Sequence, residues 1–75
     1  MSKLEDEITD LIRKFFKQKI IDDNSNINTI KNWDSLNHVN LINLIAQEYS
    51  IKISFVEMVN ISSVKDILKI VKKKL

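Results

Sequence analysis

One hydroxyl in this chain stands in a setting suited to covalent chemistry. There is no cysteine and a single histidine, which removes thiolate nucleophiles, disulfides, thiolate metal sites and the usual multi-histidine metal sites. There is no glycine either, so no Gly-rich loop can cradle a phosphate. Ser2, Ser25, Ser54, Ser62 and Ser63 all have capping or turn roles that account for them. Ser35 stands apart, in the sequence Asp34-Ser35-Leu36 at the head of an amphipathic run. Asp34 is a good N-cap, because its carboxylate can accept a hydrogen bond from the bare N–H groups of a first helical turn. Ser35 is then the first helical residue, with its hydroxyl outward at the positive end of the helix dipole. His38 falls on the apolar arc near Ile42 and Ile45 and is expected to be packed or half-buried. A general base must reach a reacting atom, and no serine–histidine–acid set is readable. No catalytic residue, metal ligand or enzyme activity is expected.

The helix that presents Ser35 runs from Asp34 through Tyr49 without Gly or Pro, about four turns. On a helical wheel Val39, Leu41, Ile42, Ile45, Ala46 and Tyr49 share one broad face, while Asn37, Asn40, Asn43, Gln47 and Glu48 lie off it. Leu36 lies outside the apolar arc. A lone exposed Leu normally means nothing, but this one follows a serine at a helix start and suggests a docking surface.

The other elements follow from the same signals. Ser2-Lys3-Leu4-Glu5 fits a capping box, and Leu4, Ile8, Leu11, Ile12 and Phe15 keep helical spacing, with acids first and lysines last. This predicts a first helix over 3–18. Residues 19–33 form a long connection rich in Asp, Asn, Ser and Thr, which bend the backbone through side-chain hydrogen bonds. Ile20, Ile21, Ile27, Ile30 and Trp33 are expected to pin it to the body, with Trp33 setting the angle at which the chain enters the second helix. Ser54-Phe55-Val56-Glu57 is another capping box, opening a short helix to about Asn60. Ser62 or Ser63 caps the last helix, whose inward face is Val64, Ile67, Leu68 and Val71, with Ile70 beside them. The expectation is all-α: a four-helix bundle with a short third helix, forming one domain over 1–75.

Charge narrows the partners. The net charge is +2; residues 1–33 balance, 34–49 carry two acids and no Lys or Arg, and 50–75 carry six lysines against two acids. The run Lys72-Lys73-Lys74 suits a solvated helix end, where cations favour the dipole. A nucleic-acid footprint would be a basic face with interleaved aromatics, and none is evident. No apolar run reaches membrane-spanning length and the first residues are no signal peptide. A cytoplasmic monomer that binds neither nucleic acid nor membrane is expected.

Asp34-Ser35-Leu36 near mid-chain, the amphipathic helix after it, and the run Glu48-Tyr49-Ser50-Ile51-Lys52-Ile53, in an all-helical chain of this length, resemble the acyl carrier protein family. The resemblance spans essentially the whole chain. It implies a bundle of acyl-carrier type, with the long loop between helices one and two ending at the modified serine. It implies that Ser35 receives 4′-phosphopantetheine from coenzyme A, giving a phosphoprotein that carries acyl groups as thioesters. A helix N-terminus suits that phosphate, since free N–H groups and the dipole stabilise its charge. The implied partners are a phosphopantetheinyl transferase, an acyl- or aminoacyl-loading ligase, and downstream transferases or synthases. Leu36 and Val39 occupy partner-contacting positions, with Asp34, Asn37 and Asn40 on the same surface. Asp34 would also meet the transferase and its magnesium. Many family members place acids where Asn37 and Asn40 stand, Pro at Ser54, and Gly near the serine. The Trp33-Asp34-Ser35-Leu36 form and the weak acidity at Asn37 and Asn40 look more like a specialised member than one of primary fatty acid biosynthesis. An aminoacyl or peptidyl carrier is the near alternative. The rival from another class is a small helical interaction domain without a prosthetic group, docking through Leu36, Val39 and Leu44.

Overall fold

The computed structural model describes residues 3–18, 21–22 and 24–75. Among the described residues four helices form: α1 (Lys3–Phe16), α2 (Ser35–Glu48), α3 (Phe55–Asn60) and α4 (Val64–Lys74). Among the described residues there is no strand, only an isolated antiparallel bridge between Asn26 and Ser63. The chain is the four-helix bundle with a short third helix that its periodicities predict. No helix among the described residues is long and apolar enough to cross a membrane.

Each long helix buries one stripe. Ile8, Ile12 and Phe16 come from α1, Leu41, Ile42 and Ile45 from α2, and Val64, Ile67, Leu68 and Val71 from α4. The spacings of three and four residues are those of a single helical face. Burying a branched aliphatic side chain stabilises by roughly 1.5–3 kcal/mol, so these positions hold the fold together. Val39, expected on the inward face of α2, instead sits at its edge and is 38 % exposed. His38, expected packed or half-buried on that arc, is half-buried.

α1 stops at Phe16, two residues earlier than its periodicity suggests. Lys17 adopts the left-handed conformation (φ 55°). Its N–H donates to Lys14 O, and that of Gln18 donates to Arg13 O. This is a Schellman terminus, which usually employs glycine because a Cβ strains the left-handed region. α2 ends in the same way at Ser50 (φ 54°), with Ser50 N–H donating to Gln47 O and Ile51 N–H to Ala46 O. The Ser2 cap expected for α1 and the anchor expected at Ile20 lie outside the described residues.

The long connection is held down from both sides. Ile21, Ile30 and Trp33 are buried, whereas Ile27 is exposed and pins nothing by burial. Asp22 and Ser25 exchange hydrogen bonds, Ser25 Oγ accepting from Asp22 N–H at 3.1 Å and the Asp22 carbonyl accepting from Ser25 N–H at 3.0 Å, while Asp22 Oδ1 accepts from Asn24 N–H at 2.9 Å. Arg13 donates to the Ile21 carbonyl at 3.3 Å. The backbone then pairs with the segment before α4: Ile27 N–H donates to Ser62 O and Val64 N–H to Ser25 O, both at 2.9 Å. Ser63 is the serine that caps α4, accepting from Asp66 N–H. Phe16 and Trp33 pack ring against ring, 5.4 Å between centroids, fixing the end of the loop against the end of α1.

Candidate functional site

The site is the start of α2. Asp34 is extended (φ −102°, ψ −178°), and its Oδ1 accepts the Asn37 N–H at 2.9 Å. Its carbonyl accepts the first intrahelical bond from His38 N–H at 2.8 Å. The next N–H groups down, those of Ser35 and Leu36, have no acceptor among the described residues. Ser35 is exposed, and no hydrogen bond engages its hydroxyl among the described residues. The result is a free hydroxyl beside two free N–H groups at the positive end of a helix of 14 residues. Such a surrounding stabilises negative charge placed at the hydroxyl.

The approach to Ser35 is rigid. The Asn32 carbonyl accepts Asp34 N–H at 3.0 Å and the Asn37 side-chain amide at 2.7 Å. Trp33 is buried, with 3 % of its surface exposed. As expected from its position, it sets how the chain enters α2. Its indole N–H needs a partner at that depth and finds His38 Nδ1 at 2.9 Å. On the other side of the same ring, His38 Nε2 lies 2.8 Å from the Met58 carbonyl of α3. An indole N–H only donates and a carbonyl only accepts, so the ring is neutral, bare at Nδ1 and protonated at Nε2. Both of its nitrogens are committed to structure. The helix period itself puts His38 on the stripe of Leu41, Ile42 and Ile45 and leaves Val39 at its edge; the two bonds then fix the ring.

Leu36 is 71 % exposed, and Val39 and Asn40 are exposed beside it. Asn37 is only half-buried, with its amide turned back to the loop. Leu44 is half-buried. α3 adds apolar surface that the sequence reading passed over: Phe55, Val56 and Val59 are 72, 65 and 57 % exposed, and none of the six residues of α3 is buried. The signal was present in Phe55-Val56-Glu57-Met58-Val59, too apolar for so short a solvent helix. The Trp33–His38 pairing was also within reach, since a buried Trp needs an acceptor and the one histidine stands a turn into the helix.

α3 is held at its ends. Ser54 and Glu57 form a reciprocal capping box, Ser54 Oγ accepting from Glu57 N–H and Glu57 Oε1 from Ser54 N–H. Lys74 Nζ pairs with the same Glu57 Oε1 at 3.0 Å. The Ser54 backbone bond first, then the Lys74 contact, holds the Glu57 carboxyl below its ordinary range. A cavity of about 570 Å³ lies along α1, where Ile21 and Leu68 join its lining. None of its lining residues belongs to the Ser35 site.

No protein-family model matches the chain, and no curated protein does. Among solved structures it is similar to the solution NMR structure of a holo acyl carrier protein from Geobacter metallireducens, with 33 % sequence identity and a TM-score of 0.82. The similarity covers 93 % of this chain and 83 % of that one.

Proposed function

The chain belongs to the acyl carrier protein family, and from that premise we propose that it carries acyl groups on a 4′-phosphopantetheine arm joined to Ser35. The observation that carries this reading is the presentation of Ser35: exposed, first in α2, directly after the Asp34 cap. The surroundings fit such a group. The hydroxyl has no competing hydrogen bond among the described residues, and the free N–H groups of Ser35 and Leu36 face a phosphodiester with favourable polarity. Once attached, the arm supplies a terminal thiol on which cargo rides as a thioester.

The chain's own residues position and present. Ser35 Oγ is the nucleophile to which a phosphopantetheinyl transferase moves the group from coenzyme A. Asp34 holds the first turn in shape with Oδ1, leaving its other oxygen for the transferase's magnesium. Leu36, Val39 and Asn40 offer the surface on which that transferase, a loading ligase and the downstream transferases or synthases dock. Bond-making on the cargo belongs to those enzymes. Asn37 and Asn40 leave this surface uncharged, which supports a role in a specialised pathway rather than in primary fatty acid biosynthesis.

The test is intact mass after incubation with coenzyme A, magnesium and a broad-specificity phosphopantetheinyl transferase, beside Ser35→Ala. One phosphopantetheine gained by the wild type and by no S35A sample is the expected result. A folded wild type that gains nothing from several transferases would reduce the molecule to a carrier-like interaction domain.

A further inference from the structure

α3 meets α2 at the contact of His38 with the Met58 carbonyl, and of its residues only Met58 packs against the core, with Ile61 buried just past its end. Its six residues include none that is buried, and its larger apolar side chains Phe55, Val56 and Val59 point to solvent. Polar links therefore supplement the packing of Met58 and Ile61 in setting its place. One is the Lys74–Glu57 pair, made by a long, half-exposed side chain whose attraction is screened by water. The other is the His38 ring, which reaches the Met58 carbonyl at 2.8 Å from a half-buried position. That carbonyl also accepts Ile61 N–H at the end of α3, so His38 fills its second lone pair. The far side of the ring is fixed in turn by the Trp33 indole, which meets it edge to edge with 6.1 Å between centroids and is buried against Phe16.

We propose that His38 is the positioning residue of the Ser35 site: a neutral strut that joins the buried Trp33, just before the Asp34 cap, to the carboxyl end of α3. It lies three residues after Ser35, about one helical turn along α2. It therefore sets the distance between the attachment hydroxyl and the exposed apolar side chains of α3. An enzyme that grips Leu36 on α2 and Val56 or Val59 on α3 reads that distance. His38 touches neither substrate nor reacting atom. It acts through the placement of α3, so its loss weakens docking of the carrier and leaves the chemical step alone.

The inference rests on the carrier reading, and the experiment separates the two. The ring nitrogen chemical shifts of His38, the Trp33 indole N–H resonance and the amide resonances of residues 55–60 are recorded by NMR for wild type, His38→Leu, His38→Gln and Trp33→Phe. The same four proteins are assayed for phosphopantetheine transfer, with KM for the carrier and kcat separated. The strut requires a wild-type ring protonated at Nε2 and bare at Nδ1. H38L keeps the bulk and loses both bonds, so the α3 amides move and KM rises about fivefold, the worth of roughly one net hydrogen bond, with kcat unchanged. H38Q keeps one acceptor and one donor and restores KM to within about twofold. W33F deletes the donor alone and shifts KM in the same direction by less; it carries the test should H38L not fold. A ring protonated at Nδ1, or a folded H38L with unmoved α3 amides and wild-type KM, would overturn the proposal. Failure of every variant and of wild type to be loaded would overturn the carrier reading instead, while the resonances still decide the strut.

Discussion

The Asn37 side-chain amide donates to the Asn32 carbonyl at 2.7 Å, tying the second residue after the serine to the second residue before its cap. This gives a physical reason for an amide at a position where an acid would otherwise suit the helix dipole. A carboxylate at Asn37 has no proton to give and would face the carbonyl oxygen.

Asn37→Asp therefore sets two effects against each other. The helix start would favour the new charge by about 0.3–1 kcal/mol, while the lost bond and the facing oxygens cost about 1–2 kcal/mol. The loss prevails, and N37D lowers stability by about 1 kcal/mol. Asn40→Asp, at an exposed position without such a bond, stays within about 0.5 kcal/mol. Chemical denaturation of both variants beside wild type checks the contrast.

The uncharged α2 surface makes a kinetic prediction. Charge complementarity steers encounter and is screened by salt, and residues 35–47 carry no Lys, Arg, Asp or Glu. The second-order rate of Ser35 loading by a transferase with a basic docking face is expected to change less than about twofold between low and physiological salt. Asn40→Glu is expected to raise that rate at low salt and make it fall as salt is added. A steep salt dependence in the wild type would show that steering comes from elsewhere on the carrier.

Lys17 and Ser50 hold left-handed backbone at the ends of α1 and α2, where glycine fits without strain. Replacing either by Gly removes a steric cost of about 1–2 kcal/mol and adds a smaller unfolded-state entropy cost. Lys17→Gly and Ser50→Gly are each expected to stabilise by about 0.5–1 kcal/mol, raising Tm by about 3–6 °C. The two sites share no partner, so the double variant should show the sum. Calorimetry reads it directly.

Acid stability depends on two carboxylates at helix starts. Asp66 accepts the Ser62 N–H at 3.0 Å and the Ser62 hydroxyl at 3.2 Å; the backbone bond is the main cause holding its carboxyl below the usual range, and desolvation opposes it. Glu57 is lowered chiefly by the Ser54 backbone bond. A carboxyl depressed in the folded state contributes stability that is complete above the unfolded value, near 4, and is lost as pH falls through the folded value. Stability limited by these groups should hold from pH 7 to about 5 and decline below about 4. Asp66→Asn should be less stable at neutral pH and show a shallower acid limb in denaturation curves collected across that range.

The helices were legible because burial repeats along them. Ile8, Ile12, Ile45, Ile67 and Val71 follow from spacing alone, and the caps at Asp34, Ser54 and Ser63 follow from chemistry that acts within four residues. The ends of α1 and α2 were less legible, since glycine is the usual mark of a left-handed terminus and this chain has none. Val39 was placed inward because the apolar arc was drawn broad, whereas the stripe that is buried, Leu41, Ile42 and Ile45, leaves it at the edge. The helical wheel put His38 on the inward arc, where it is half-buried, but could not register that Trp33 and Met58 would take up both of its nitrogens. Ser35 and its cap could be found locally; the strut beneath them joins residues 20 positions apart and exists only once α3 has folded back.

The short backbone pairing of Ser25 and Ile27 with Ser62 and Val64 also has a kinetic meaning. It closes a loop of roughly half the chain, and that loop contains Ser35 together with all of α2 and α3. Closing so long a segment has an entropy cost that grows with the logarithm of its length, and contacts between distant residues slow folding relative to a bundle made of local ones. α1 and α4 can offer an early apolar nucleus, but Ser35 acquires its fixed approach only when the loop shuts. A transferase that recognises that approach would thereby select finished molecules over half-folded ones.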